Sequence, residues 1–190
     1  MNSKTYLPTV LYLFLVCTSL FSQDKSFIKE LRYPVEEMDY AAWAKLSVAL
    51  QDAGEPLGQQ GLLPQKHDLS DGHGTVELIS VKRTAGNMLL VTFRYHYTGS
   101  GIVWTGILAH VPPTDNPARY LYLVDTKSRK LYRAVTDSDD RSLSANIGGT
   151  INSGETKTAW CCVPSPPQDV VRVVICIPGA LPFANVGITE

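Results

Sequence analysis

The sequence has little excess charge of either sign. Of its 190 residues, 17 are Lys or Arg and 18 are Asp or Glu, so the formal net charge is -1 at pH 7. Proteins that attract nucleic acid or anionic membranes usually concentrate positive charge. We therefore expect no nucleic-acid partner.

Motifs of common enzyme chemistry are missing from the sequence. It contains no Gly-x-Ser-x-Gly, no recognisable Ser, His and Asp order, and no glycine-rich phosphate loop. The adjacent carboxylates Glu36 and Glu37 belong to a predicted exposed helix. We therefore expect no catalytic residues and no cofactor.

The sequence also lacks an apolar run long enough to span a membrane, which needs about 20 residues. The run from Tyr6 to Cys17 is shorter and contains Pro8. Lys4 precedes it and Ser22 follows it, which is the pattern of a secretory signal cleaved after Ser22. Residues 1–22 are thus a predicted signal peptide, with a retained anchor as the alternative. Cleavage would leave no stable membrane span and would place the protein in the periplasm, at the cell surface or in the medium.

Residues 23–74 are predicted to form an N-terminal helix and a linker. The segment from Glu36 to Leu50 is rich in Ala and Leu, has acidic residues in its first turn, and lies between Pro34 and Gly54. From Ala53 to Gly74 the sequence is rich in Gly, Pro and Gln without periodicity, which is typical of a linker.

Residues 75–190 have the pattern of an all-β domain. From Leu89 to Thr98 apolar and polar residues alternate, as in a half-buried strand. Val171, Val173 and Ile175 share one face of another predicted strand, so both segments should supply core residues. About seven or eight strands in a domain of this size predict an immunoglobulin-like β-sandwich. The predicted strands are 76–83, 89–98, 103–111, 119–126, 130–136, 144–151, 156–163 and 169–177.

Three short motifs resemble a family of bacterial exported immunoglobulin-like domains, related in shape to telokin-like and immunoprotective extracellular domains. They are Tyr120–Asp125, Lys130–Tyr132 and Ile151–Thr156. In that family a strand ends in an aspartate, a short turn leads to a strand with Tyr, and a Gly-Glu turn precedes the final hairpin. The resemblance implies a sandwich from Val76 to Ile188, and many members of the family have no known activity.

Cysteine is scarce, with four in the chain. Cys17 would leave with the signal, so Cys161, Cys162 and Cys176 remain and cannot all pair internally. If the last two predicted strands formed a hairpin, Cys176 would lie about 17 Å along the strand from the residue facing Cys162. A disulfide needs Cα atoms within about 7 Å. Buried free thiols are therefore favoured.

Two polar clusters contain residue types that can bind metal ions. His67, Asp68, Asp71 and His73 fit no compact zinc pattern. Asp137, Asp139 and Asp140 offer clustered oxygens for calcium, although Arg141 and the absence of a glycine depart from the EF-hand loop. A polar turn is favoured for this second cluster, and we expect no metal site.

The tryptophan at position 104 is the candidate for recognition. Most aromatic residues, among them Tyr95, Tyr97, Tyr120, Tyr122, Tyr132 and Trp160, are predicted to belong to the core. Trp104 follows the glycine-rich stretch Gly99–Gly101, which indicates an exposed loop or edge. Together with Ile102 and Val103 it predicts a non-enzymatic exported module that binds an unidentified protein or envelope component through its loops. The alternative is a small secreted hydrolase or a carbohydrate-binding accessory domain.

Overall fold

The structure is a computed structural model, and it describes residues 31–52, 63–112 and 115–190. Eleven strands lie in these residues. They are β1 (Val35–Glu37), β2 (Gln65–Asp68), β3 (Gly74–Thr84), β4 (Met88–Tyr97), β5 (Ile102–Trp104), β6 (Tyr122–Asp125), β7 (Lys130–Arg133), β8 (Thr150–Asn152), β9 (Thr156–Pro164), β10 (Arg172–Cys176) and β11 (Phe183–Gly187). The helices are α1 (Tyr40–Asp52), the short α2 (Thr105–Leu108) and the 3-10 helix Pro117–Tyr120.

The strands form two main antiparallel sheets and a small ribbon. One sheet has the order β1-β7-β6-β10-β11, the other has the order β2-β3-β4-β9, and β5 pairs with β8 alone. Buried side chains from both main sheets pack in one core, among them Phe93 and Ala159 from the second sheet and Ile175 and Phe183 from the first. The all-β sandwich predicted from the sequence is thus confirmed.

The helix α1 covers the outer side of the five-stranded sheet. Asp39 caps its first turn, because Ala42 N donates to Asp39 Oδ1 at 2.7 Å. Leu46 packs with Val174 and Cys176 of β10, which alternate with core residues Val173 and Ile175. Both faces of β10 are covered from Val173 to Cys176, and these four residues are all apolar. Of the described helices, none is both long and apolar enough to cross a membrane.

The hairpin β3–β4 is the longest paired region and follows the predicted alternation. Its turn uses Gly86 and Asn87 at φ of 79° and 57°, the left-handed conformation that these two residue types tolerate. Leu89, Val91 and Phe93 are fully buried, as predicted. Val171 is different, because it is 61% exposed and precedes β10. It was predicted to be in the core, but the strand starts one residue later.

Several predicted boundaries differ from the structure. The sandwich was predicted to start at residue 75, yet β1 and β2 already belong to its sheets. β2 lies inside the predicted linker, and helix α1 begins at Tyr40 because Val35–Glu37 pair with β7. The predicted strand 103–111 is strand only to Trp104, and the predicted strand 144–151 is strand only from Thr150. The short strands escaped prediction because three or four residues carry too little periodicity.

Candidate functional site

The ribbon β5–β8 has one face on the core and one face exposed. Val103 lies opposite Ile151, which is fully buried, and Val103 packs partly buried against the same core. Ile102 and Trp104 point the other way and are 67% and 43% exposed. Of the three residues predicted to bind a partner, two are therefore available at the surface, and Val103 attaches the ribbon to the domain.

The turn before β5 is held by its own contacts. The Tyr97 hydroxyl donates to Ser100 O at 2.9 Å, and the ring lies so close that a Cβ on Gly99 would be 2.5 Å from it. Ser153 N also donates to Gly101 O at 2.9 Å. The glycines of this stretch thus allow tight packing and a φ of 74° at Gly101.

The end of the ribbon is anchored by Thr105, which is buried. Its hydroxyl lies 2.9 Å from Ile147 O and 3.0 Å from Gly149 O, and its backbone N donates to Gly149 O at 2.9 Å. These bonds fix the backbone that follows Trp104. A surface whose backbone is already ordered loses less conformational entropy on binding.

The polar neighbours of this exposed face come from β8 and the turn after it. Thr150 lies opposite Trp104, and Asn152 lies opposite Ile102. Glu155 Oε2 accepts from both the backbone N and the side-chain Nδ2 of Asn152 at 2.8 Å. These bonds lower the pKa of the Glu155 carboxyl, since they favour its charged form. The face therefore combines apolar side chains with one fixed negative charge.

The three thiols in the described residues, those of Cys161, Cys162 and Cys176, are free and buried, as predicted. Burial raises the pKa of the Cys176 thiol to about 12, and the thiol is hydrogen-bonded to Tyr122. Burial also raises the pKa of Cys161 and of Cys162. Thiols with raised pKa values are poor nucleophiles because little thiolate forms. The hairpin assumed between the last two predicted strands does not exist, since β9 and β10 belong to different sheets.

The aspartates considered for calcium are engaged in other bonds. Asp137 Oδ1 accepts from the backbone N of Asp139 and of Arg141, each at 2.9 Å. The Asp139 carboxylate lies 3.6 Å from Arg141, and that of Asp140 lies 4.0 Å from Arg119. Across the described ranges, no group of three His, Cys, Asp or Glu side chains is arranged to hold a metal ion. In the other polar cluster, His67 belongs to β2 and packs edge-on against Phe183 at 4.4 Å.

A serine and a histidine that lie far apart in the sequence meet in the structure. Ser70 Oγ lies 3.4 Å from His110 Nε2 beside a cavity of about 310 Å³, which His110 lines together with Tyr122 and Cys176. The Ser70 hydroxyl lies closer to Gly179 O, at 3.1 Å. A nucleophilic serine must instead give its proton to the histidine. This geometry does not resemble an activated nucleophile.

Comparisons with known proteins identify no family for this chain. No family model matches the chain, and no curated protein matches it. The crystal structure of the yjhA protein from Bacillus subtilis is similar at a TM-score of 0.40 and 16% identity, over 60% of this chain and 76% of that one. A similarity at this level carries no inference about function.

Proposed function

We propose that this protein is an exported binding module that engages a protein or another envelope component through the outer face of β5–β8. The observation that carries this proposal is the exposure of Ile102 and Trp104 on a ribbon whose other face is packed in the core. Tryptophan is enriched among residues that dominate interface energies. The ordered turn and the Thr105 anchor support a preformed surface.

The mechanism of binding is surface complementarity. The indole of Trp104 and the side chain of Ile102 would lose water against an apolar pocket of the partner. Asn152 and Glu155 would lie at the rim, where hydrogen bonds fix orientation more than they add affinity. Export rests on the signal-like residues 1–22, which lie outside the described residues.

A pull-down from the native envelope, with the purified protein as bait, tests the proposal. Mass spectrometry should identify a retained component whose capture fails when the bait carries Trp104→Ala. Capture that is unchanged in this variant would contradict the site. N-terminal sequencing of the native protein tests export, because a chain that still begins at Met1 in the cytoplasm would exclude it.

A further inference from the structure

The outer face of the four-stranded sheet is a second surface with an exposed tryptophan. The inner face of this sheet is buried in the core, and side chains alternate between the two faces. Trp160 is 39% exposed on β9, between the buried Ala159 and Cys161. The polar side chains on the same face of β3, β4 and β9 are Thr75, Glu77, Ser80, Lys82, Thr92, Arg94, His96, Thr156 and Thr158.

The strand register places this surface around Trp160. Thr92 of β4 lies directly opposite Trp160, and Arg94 lies opposite Thr158. The backbone on the other side of β9 is also held, since Ala145 N donates to Trp160 O at 2.8 Å. The indole thus projects from a strand that is hydrogen-bonded on both sides, beside hydroxyl groups.

The polar groups of this surface are bonded to one another. Arg94 Nε donates to Glu77 Oε2 across β3 and β4. His96 Nδ1 lies 2.9 Å from Thr156 Oγ1. Glu77 and Arg94 neutralise each other, Lys66 and Asp68 lie on the edge strand β2, and Lys82 lies on β3 opposite Leu90. These three cations and two carboxylates leave one net positive charge on the face, and the Glu77–Arg94 pair near Trp160 is balanced.

This charge balance decides which class of ligand fits. Nucleic acids and anionic polymers need an excess of positive charge. A protein interface core is usually depleted of charged groups and rich in apolar side chains, whereas threonines and an ion pair dominate here. A neutral sugar chain fits this surface, because a pyranose ring has an apolar C–H face for the indole and a rim of hydroxyl groups for the polar side chains.

We infer that the outer face of this sheet binds a neutral polysaccharide, with Trp160 as the stacking platform. The indole face takes the C–H face of one sugar ring. The Glu77 carboxylate accepts hydrogen bonds from ring hydroxyls, and Arg94 donates to them. The Glu77–Arg94 bond and the fixed register hold both groups in place before the ligand arrives, which limits the entropy lost on binding.

This surface is separate from β5–β8, so the inference does not rest on the function proposed above. Tyr120 provides a matched aromatic control, since it is 38% exposed against 39% for Trp160 and lines the cavity beside Tyr122 and Cys176 instead of this face. The probes are soluble neutral α- and β-glucans, mannans, xylans and galactans, with heparin and polygalacturonate as anionic comparisons. Affinity gel electrophoresis of the purified protein measures binding.

We expect at least one neutral polysaccharide to retard the protein. Trp160→Ala should weaken this binding about tenfold or more, since truncating a tryptophan at a binding centre typically removes more than about 1.4 kcal/mol. Tyr120→Ala should change it less than about twofold. Thr158→Arg, which adds bulk and charge beside the indole, gives a second test that keeps Trp160 in place.

Thermal melts of each variant separate loss of binding from loss of folding. The inference is overturned if no neutral polysaccharide retards the protein or if only the anionic polymers do. It is also overturned if folded Trp160→Ala and Thr158→Arg proteins bind as wild type, or if Tyr120→Ala weakens binding as strongly as Trp160→Ala.

Discussion

Val103 lies directly opposite Ile151 across the β5–β8 ribbon, and the core contact of this pair turns the neighbouring Trp104 outward. The two faces of the ribbon should therefore respond differently to truncation. Ile151→Ala removes a fully buried side chain and should lower the free energy of unfolding by about 2–5 kcal/mol.

Trp104→Ala should leave that free energy nearly unchanged while weakening partner binding by about 2 kcal/mol or more. Urea denaturation of both variants and titration of the captured partner check this pair. A Trp104→Ala protein that unfolds would show that the indole is needed for packing rather than recognition.

Phe93 and Val171 were both predicted to be core residues, and only Phe93 is buried. Phe93→Ala should therefore cost about 3–5 kcal/mol of stability. Val171→Ala, at a side chain that is 61% exposed, should change stability by less than about 0.5 kcal/mol. Thermal and urea denaturation measure both. Equal losses in the two variants would contradict the start of β10.

Arg83 connects the end of β3 to the segment before β10. Its guanidinium donates to Pro166 O at 2.9 Å, Pro167 O at 3.2 Å and Val170 O at 2.9 Å, and also to Ser165 Oγ. Arg83→Ala should lower stability by about 2 kcal/mol, because it removes charge-assisted hydrogen bonds at a largely buried side chain.

Arg83→Lys should also destabilise the protein, since an ammonium group cannot reproduce the planar fork of donors. Arg141→Ala is the matched control, because the Arg141 side chain is 78% exposed in its ion pair and such pairs contribute little. If Arg83→Ala melts like Arg141→Ala in denaturation experiments, the guanidinium does not hold this segment.

Alkaline pH should destabilise the fold through its buried thiols. Burial raises the pKa of Cys176 from 9.0 to about 12, and it also raises the pKa of the bonded Tyr122. Above about pH 9 the unfolded chain releases the thiol proton while the folded chain keeps it, so the free energy of unfolding falls as pH rises. The stability contribution is complete below pH 9 and is lost toward pH 12.

Cys176→Ala tests this pH dependence. Its stability should fall less steeply between about pH 9 and pH 11 than that of the wild type, as measured by urea denaturation at each pH. An identical slope in the two proteins would show that this thiol does not contribute.

Strands could be predicted from the sequence where apolar and polar residues alternate over many positions, as in β3, β4 and β9. The same alternation indicates that Trp160 lies on the outer face of β9, because it shares that face with Thr156 and Thr158, whereas Ala159 and Cys161 lie on the other. The prediction from alternation that Tyr120 and Trp160 belong to the core is wrong, because they are 38% and 39% exposed. Tyr95, Tyr97 and Tyr132 were correctly predicted to be buried.

The sequence by itself determined the all-β class, the helix that precedes most of the strands, and the exposure of Trp104, because each depends on periodicity or local turn chemistry. Only the tertiary structure decided that β9 and β10 belong to different sheets and that β5 and β8 pair away from both. Sheet partners are chosen by contacts between residues distant in the chain, and alternation along one strand does not specify them. The two surfaces with exposed tryptophans are products of that pairing.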